Sequence, residues 1–350
     1  MLSPFAAEYA RLVSAGDPGF VAEIDPADEM FAFALRSLRG SADAAAILYF
    51  SIGRLIADSI GEALAWRFPN RPPASLLDFA AGFGRATRFL ARRLDPGTIT
   101  AAEVDPAALA FQAKRFGVRT LLSPMDAEGF DPGPPHEAVV GSSFFSHLSE
   151  ARFGPWLAKL WSAVAPGGIL VFSTHGPELL AESADWSRGI VFRAASETDR
   201  LDPEAYGTSW VTPEFVAGEI RRSCAGGSLH AIPFGLDGRQ DLYAVARPPH
   251  LPDSLLRISA VPRGELDGMS LAGGRLLCEG FLDAPSEAEL VLLARHEERA
   301  RMRVDRGDAP RRWRLETDRG GISPDDVVRV EARSAGRARI LAMGTLRPHL

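Results

Sequence analysis

The chain has 350 residues, 46% of them hydrophobic, and a net charge of -6, which allows a sizeable core and more than one domain. Its bases are nearly all arginine and are interleaved with acids, which argues against a nucleic-acid partner. Two distant cysteines, Cys224 and Cys278, and the lack of a leader or a run of about eighteen apolar residues lead us to expect a cytoplasmic protein with no disulfide framework and no membrane span.

Residues 1–70 read as a helical cap. Pro4–Ser14 and Asp28–Leu38 are amphipathic. Ala42–Phe68 is longer, and its apolar residues Ile47, Phe50, Leu55, Ile60 and Leu64 suit a helix that covers a pocket or a sheet edge. Residues 71–249 alternate short apolar strands with helices. That pattern predicts an α/β fold with a Rossmann-like, doubly wound sheet.

The most informative stretch runs from Ser75 to Leu90. It reads as a buried strand, a tight turn with Gly82 and Gly84, and a helix over Arg85–Arg93. Asp78 places a carboxylate at the end of the strand. Glycines let the backbone approach a ligand, and open α/β sheets bind ligands in that crevice. The spacing decides which ligand. A dinucleotide fingerprint wants a third glycine where Thr87 stands, and no Gly-Lys-Ser/Thr follows. A leading acid repels a pyrophosphate and suits a cationic ligand.

Next, Thr98–Val104 is a β-branched strand ending in acids, and Pro106 opens a helix to Phe116. An acid at the end of this second strand can accept hydrogen bonds from ribose hydroxyls. Glu103 and Asp105 both qualify, and Asp105 before Pro106 also suits a helix cap, which favours Glu103. A third strand ends near Met125 and Asp126, the latter either a ligand contact or a solvated loop acid. Glu137–Gly141 is an apolar strand that runs into Ser142 and His147. A helix over Arg152–Val164, the turn Ala165–Gly168 and a strand ending at Thr174 before His175 follow. His147 is a candidate base, or it caps the next helix. His175 either binds an acceptor or is itself the base. Ser183–Tyr206 is long and polar enough to form a lid. There Tyr206, and Trp210 just beyond, either stack on an acceptor or pack. Thr212 caps a helix over Pro213–Cys224, and two further strands flank Gly235–Gly238.

After Pro248–Pro252 the texture changes to short strands between Gly, Asp and Pro turns, at Leu255–Val261, Arg275–Phe281, Ala288–Ala294, Arg299–Val304, Arg312–Glu316, Val327–Ala332 and Arg339–Gly344. This predicts a small all-β sandwich domain over 253–350. No His, Asp or Glu cluster has metal-ligand spacing, so no metal is expected, and nothing in the pattern fixes an oligomeric state.

Asp78-x-Ala80-x-Gly82-x-Gly84, with the acids, the Ser142–His147 turn and the Pro166-Gly167-Gly168 turn in that order, resembles class I S-adenosylmethionine (SAM) methyltransferases. Ala80 stands where that family has its first glycine. The resemblance implies SAM as cofactor, with Asp78, Ala80, Gly82, Gly84, Glu103, Val104, Asp126 and Ser142 at its site. It implies Glu103 on the ribose, Asp126 near the adenine, and a closing hairpin with one antiparallel strand. Tyr49 and Arg54 resemble a segment of bacterial methyltransferases encoded beside glycosyltransferases, in which an arginine pairs with the SAM carboxylate. Arg54 otherwise reads as an ordinary surface arginine. The expected reaction is O-methylation of a sugar or glycan-linked acceptor. A natural product or other small metabolite as acceptor, and a non-catalytic SAM-fold binding protein, are the alternatives.

Overall fold

The computed structural model describes residues 3–14, 16–180, 184–195, 201–249, 262–284, 287–295, 297–305, 311–334 and 337–346. Three helices lead: α1 (Pro4–Val13), α2 (Glu29–Ser37) and α3 (Ala42–Arg67). Asp28 caps α2 by accepting from the Met30 and Phe31 N–H groups. By length and mean hydropathy α3 could cross a bilayer, contrary to the sequence reading, but 67% of its most apolar window is buried. Its residues Phe50, Ile56, Ile60 and Leu64 share a core with Leu76 and Val140.

A seven-stranded sheet follows, built from β1 (Leu76–Phe79), β2 (Ile99–Glu103), β3 (Arg119–Leu122), β4 (His136–Gly141), β5 (Val164–Thr174), β8 (Ser228–Ile232) and β9 (Asp241–Ala246). Its order is β3-β2-β1-β4-β5-β9-β8. β1 to β5 pair in parallel, and β9 runs antiparallel to both neighbours. The chain moves outward from β1 to β3 and then returns to β4. The order therefore reverses between β1 and β4, and a ligand crevice opens beyond their carboxyl ends.

Three local readings change. The helix after the glycine turn is a single turn, α4 (Thr87–Leu90), because the N–H groups of Arg92 and Arg93 bond three residues back rather than four. The Ala165–Gly168 segment bulges within β5: His136 pairs with Val164, while Ala138 pairs with Ile169. The lid segment contributes a ribbon of β6 (Ile190–Arg193) against β7 (Thr208–Val211). Parts of it, 181–183 and 196–200, lie outside the described residues. The helices α5 (Pro106–Phe116), α6 (Glu150–Ser162) and α7 (Pro213–Ser223) complete this half, with Asp105 and Thr212 as caps.

The remaining strands form two antiparallel sheets. One holds β10 (Arg263–Ala272), β11 (Arg275–Asp283) and β14 (Arg311–Asp318). The other holds β12 (Ala288–Ala294), β13 (Glu297–Val304), β15 (Val327–Ser334) and β16 (Arg337–Thr345). Leu276, Cys278 and Leu315 of the first share a core with Leu290, Leu292 and Val330 of the second. β10 was not expected, since its two glycines and alternating charges weaken the strand pattern, and a bulge lies at Asp267. The expected strand at Leu255–Val261 falls outside the described residues.

Candidate functional site

A cavity of about 560 Å³ opens at the switch point. That is the size of a small-molecule site. The glycine loop and Glu103 form one end, and His147, His175, Tyr206 and Trp210 form the other. Residues of α2 and α3 roof it, including Met30, Phe33, Tyr49 and Ile52.

The loop after β1 is held from behind. The Gln112 amide donates to the Gly82 carbonyl at 2.7 Å, and the Ala81 N–H bonds the Ala102 carbonyl. Gly82 has φ +55°, and a Cβ built there meets nothing within 4 Å. The bare backbone therefore faces open cavity. Ala80 also has φ +55°. A left-handed alanine costs about 1–2 kcal/mol, so the loop is held in shape by its surroundings rather than by local preference.

Glu103 reaches across this loop. Its Oε2 accepts from the Gly82 N–H at 2.8 Å, and Oε1 from the Val104 N–H at 2.7 Å. Burial pushes its carboxyl pKa up, and these backbone donors oppose the shift. Asp78 is 2% exposed and accepts from the Thr87 hydroxyl at 2.7 Å. Burial pushes its pKa up to about 6 despite that bond, and the Glu103 charge adds to the rise. Beneath them Phe79 packs on Phe144 and Trp156, with ring centroids 4.8 Å apart in each case. This ties the ends of β1 and β4 together.

At the other end the β6–β7 ribbon fixes two imidazoles. His147 Nδ1 lies 2.7 Å from the Gly207 carbonyl, and His175 Nδ1 3.2 Å from that of Ser209. A carbonyl only accepts, so each Nδ1 carries a proton. Tyr206 stacks on His147 at 4.5 Å, and the two imidazoles lie 6.3 Å apart. Burial pushes the His147 pKa down to about 4, against the Gly207 bond, so the ring is neutral at pH 7. The Gln240 side chain braces the loop after β4, accepting from Ser173 at 2.7 Å and donating to Ser143 at 3.0 Å.

Of the residues expected from sequence, Asp78, Ala80, Gly82, Glu103, Val104, Ser142, Tyr49, His147 and His175 line the cavity. Three do not. Gly84 packs inward, where a Cβ would come within 2.5 Å of the Phe116 ring. Asp126 is turned outward and bonded to Arg152 at 2.8 Å. Arg54 is bonded to Asp58 at 2.9 Å and to the Val13 carbonyl at 2.8 Å, so it stays with its own helix and α1. Tyr49 lines the cavity, but its hydroxyl donates to Asp28 at 2.5 Å. Sequence reading missed the cavity roles of α2, Arg85, Asp237 and Arg239. The segment from Gly238 to Asp241 was the one available signal for the last of these.

The fit to SAM rests on this geometry. The bare backbone at Gly82, the half-buried carboxylate of Glu103 beside it and the acid of Asp78 suit a cationic nucleoside. Among the described residues no group of three or more His, Cys, Asp or Glu is placed to hold a metal.

Residues 77–170 match the family model described as a methyltransferase domain. No curated protein matches the chain. Several solved structures are similar. Streptomyces venezuelae DesVI is 19% identical, with 64% of this chain and 99% of that one covered and a TM-score of 0.44. SAM-bound CalS10, an amino pentose methyltransferase from Micromonospora echinaspora, is 22% identical, with 56% and 93% covered and a TM-score of 0.42. The glycopeptide N-methyltransferase MtfA with S-adenosylhomocysteine is 22% identical, with 54% and 86% covered and a TM-score of 0.39. These likenesses are too distant to assign an acceptor. Residues 77–170 thus resemble a methyltransferase domain.

Proposed function

We propose that this protein transfers a methyl group to a hydroxyl of a sugar or glycan-linked acceptor. The supporting observation is one cavity that joins a nucleoside-suited loop to two oriented imidazoles beside Tyr206 and Trp210. Aromatic faces suit the apolar face of a sugar ring, and Gln240, Arg239 and Asp237, which also line the cavity, suit its hydroxyls.

SAM supplies a methyl group already activated on a sulfonium. The protein's part is to orient and to exclude water. The Glu103 carboxylate would hold the ribose hydroxyls, and the backbone of 80–82 would support the nucleoside. His147 Nε2 accepts the acceptor hydroxyl and holds it in line. A weak base suffices there, because the hydroxyl proton grows acidic as the new O–C bond forms. His175, less buried, passes the proton toward solvent. Met30, Phe33 and Leu201 add apolar wall, which favours a second reading with a natural product or another small metabolite as acceptor.

Incubation with SAM and a panel of sugars, nucleotide sugars and hydroxylated metabolites tests this. The expected result is a singly methylated sugar with matching release of S-adenosylhomocysteine. Methylation confined to non-sugar metabolites supports the second reading, and binding without transfer supports a non-catalytic protein.

A pH effect follows from Asp78. With its pKa near 6, the empty site holds a protonated carboxyl below that pH. A cation in the cavity favours the carboxylate, so binding expels a proton. SAM affinity is expected to rise from about pH 5 to about pH 7 and then level off, with a calorimetric heat at pH 6 that depends on the buffer's ionisation enthalpy. Affinity unaffected by pH over this range contradicts the role of Asp78.

A further inference from the structure

Arg85 follows the glycine loop, is half-buried and lines the cavity. Its backbone is pressed against α3, where a Cβ on Gly53 would come within 2.3 Å of the Arg85 carbonyl oxygen. Its guanidinium makes no hydrogen bond or ion pair with any described residue, whereas the other nearby arginines are engaged. Arg152 is bound by Asp126 and the Met125 carbonyl. Arg88 is bound by the Val21 and Glu23 carbonyls and by Tyr49, and Arg54 lies outside the cavity.

The polar groups nearest in charge to Arg85 are Tyr49 and Asp237. Neither is hydrogen-bonded to it. The Tyr49 hydroxyl donates to Asp28 and accepts from Arg88. Asp237 Oδ1 accepts from the Arg239 N–H at 3.2 Å and the Gln240 N–H at 3.4 Å. A guanidinium covered by a ligand needs an anionic partner in place of the water it loses. The cavity also carries Asp78, Glu103, Asp105 and Asp237, which repel anions, and two further arginines, Arg152 and Arg239, both of which already have partners.

We propose that Arg85 anchors an oxyanion of a ligand in this cavity, gripping a carboxylate or phosphate through its planar fork. The assignment rests on the methyl-transfer reading. The anion has two possible sources: the amino-acid carboxylate of SAM, or an acidic group on the acceptor.

The test compares wild type with Arg85→Ala and Arg85→Lys, using SAM and methylthioadenosine, which lacks the amino-acid end, as calorimetric probes. The expected result is a SAM affinity lowered about 10- to 100-fold in Arg85→Ala, unchanged methylthioadenosine affinity, and partial recovery in Arg85→Lys. If SAM affinity holds, but KM rises by a similar factor for a nucleotide sugar and not for a neutral one, the anion is on the acceptor and the anchor stands. The proposal is overturned if neither quantity changes, or if methylthioadenosine weakens as much as SAM. Should Arg85→Ala fail to fold, Arg85→Gln replaces it. A wild type that binds neither nucleoside refutes the methyl-transfer reading instead. Stabilisation by inorganic phosphate then judges Arg85, and an equal melting shift in wild type and variant overturns the anchor.

Discussion

Glu103→Ala is expected to lower SAM affinity by at least about 100-fold, because a carboxylate that accepts two hydroxyl hydrogen bonds contributes about 1.5–3 kcal/mol through each. Its other bonds explain why this position is preorganised. The Gly82 and Val104 N–H groups hold the carboxylate in place, so little side-chain entropy remains to be lost on binding. Those bonds also brace the loop, and their loss could loosen it. Isothermal calorimetry together with a melting curve separates the two effects. A variant that melts near wild type and has lost SAM binding fits a ribose contact. One that melts near wild type and still binds SAM normally removes Glu103 from the site.

His147→Ala is expected to reduce kcat by about 100- to 1,000-fold, the lower part of the range typical of a positioned proton acceptor, with SAM affinity unchanged. His175→Ala should cost less, since its proposed part comes after the hydroxyl is engaged. The His147 pKa of about 4 also sets the pH response. Its ring stays neutral above about pH 6, so His147 should contribute no limb to turnover near 6.5, the ordinary value. The sign for stability follows from the same shift. As pH falls from 6.5 toward 4 the unfolded chain takes up the proton first, and the fold loses stability over that interval. Steady-state rates from pH 5 to 9 test this. A limb near pH 6.5 that vanishes in His147→Ala contradicts a base held neutral by burial.

Much of this site could be read from local sequence. Asp78, Gly82 and Glu103 announce themselves because strand ends and positive-φ turns are written in neighbouring residues. The failures concern side-chain partners supplied from elsewhere in the chain. Gly84 and Gly82 look alike in sequence, and only the arrival of Phe116 and Gln112 from α5 separates an inward-packed glycine from one that faces the ligand. Asp126 is drawn outward by Arg152 on α6. Arg54 is different: its partner Asp58 is four residues along the same helix, a spacing that favours pairing and was legible. The ribbon that orients His147 and His175 was not legible, because its strands are only four residues each and are separated by a polar stretch. The roof provided by α2 is tied to α3 by long-range links, among them the Tyr49 hydroxyl bonded to the capping residue Asp28 and the Phe31 ring packed edge-on against Tyr49.

A crystal structure grown with S-adenosylhomocysteine would test the cofactor site most directly. The expected result is a nucleoside in the cavity above Gly82, with both ribose hydroxyls within hydrogen-bond distance of the Glu103 carboxylate. Density for the nucleoside anywhere else, or a Glu103 side chain turned away from it, would contradict a methyl-donor site built on these residues.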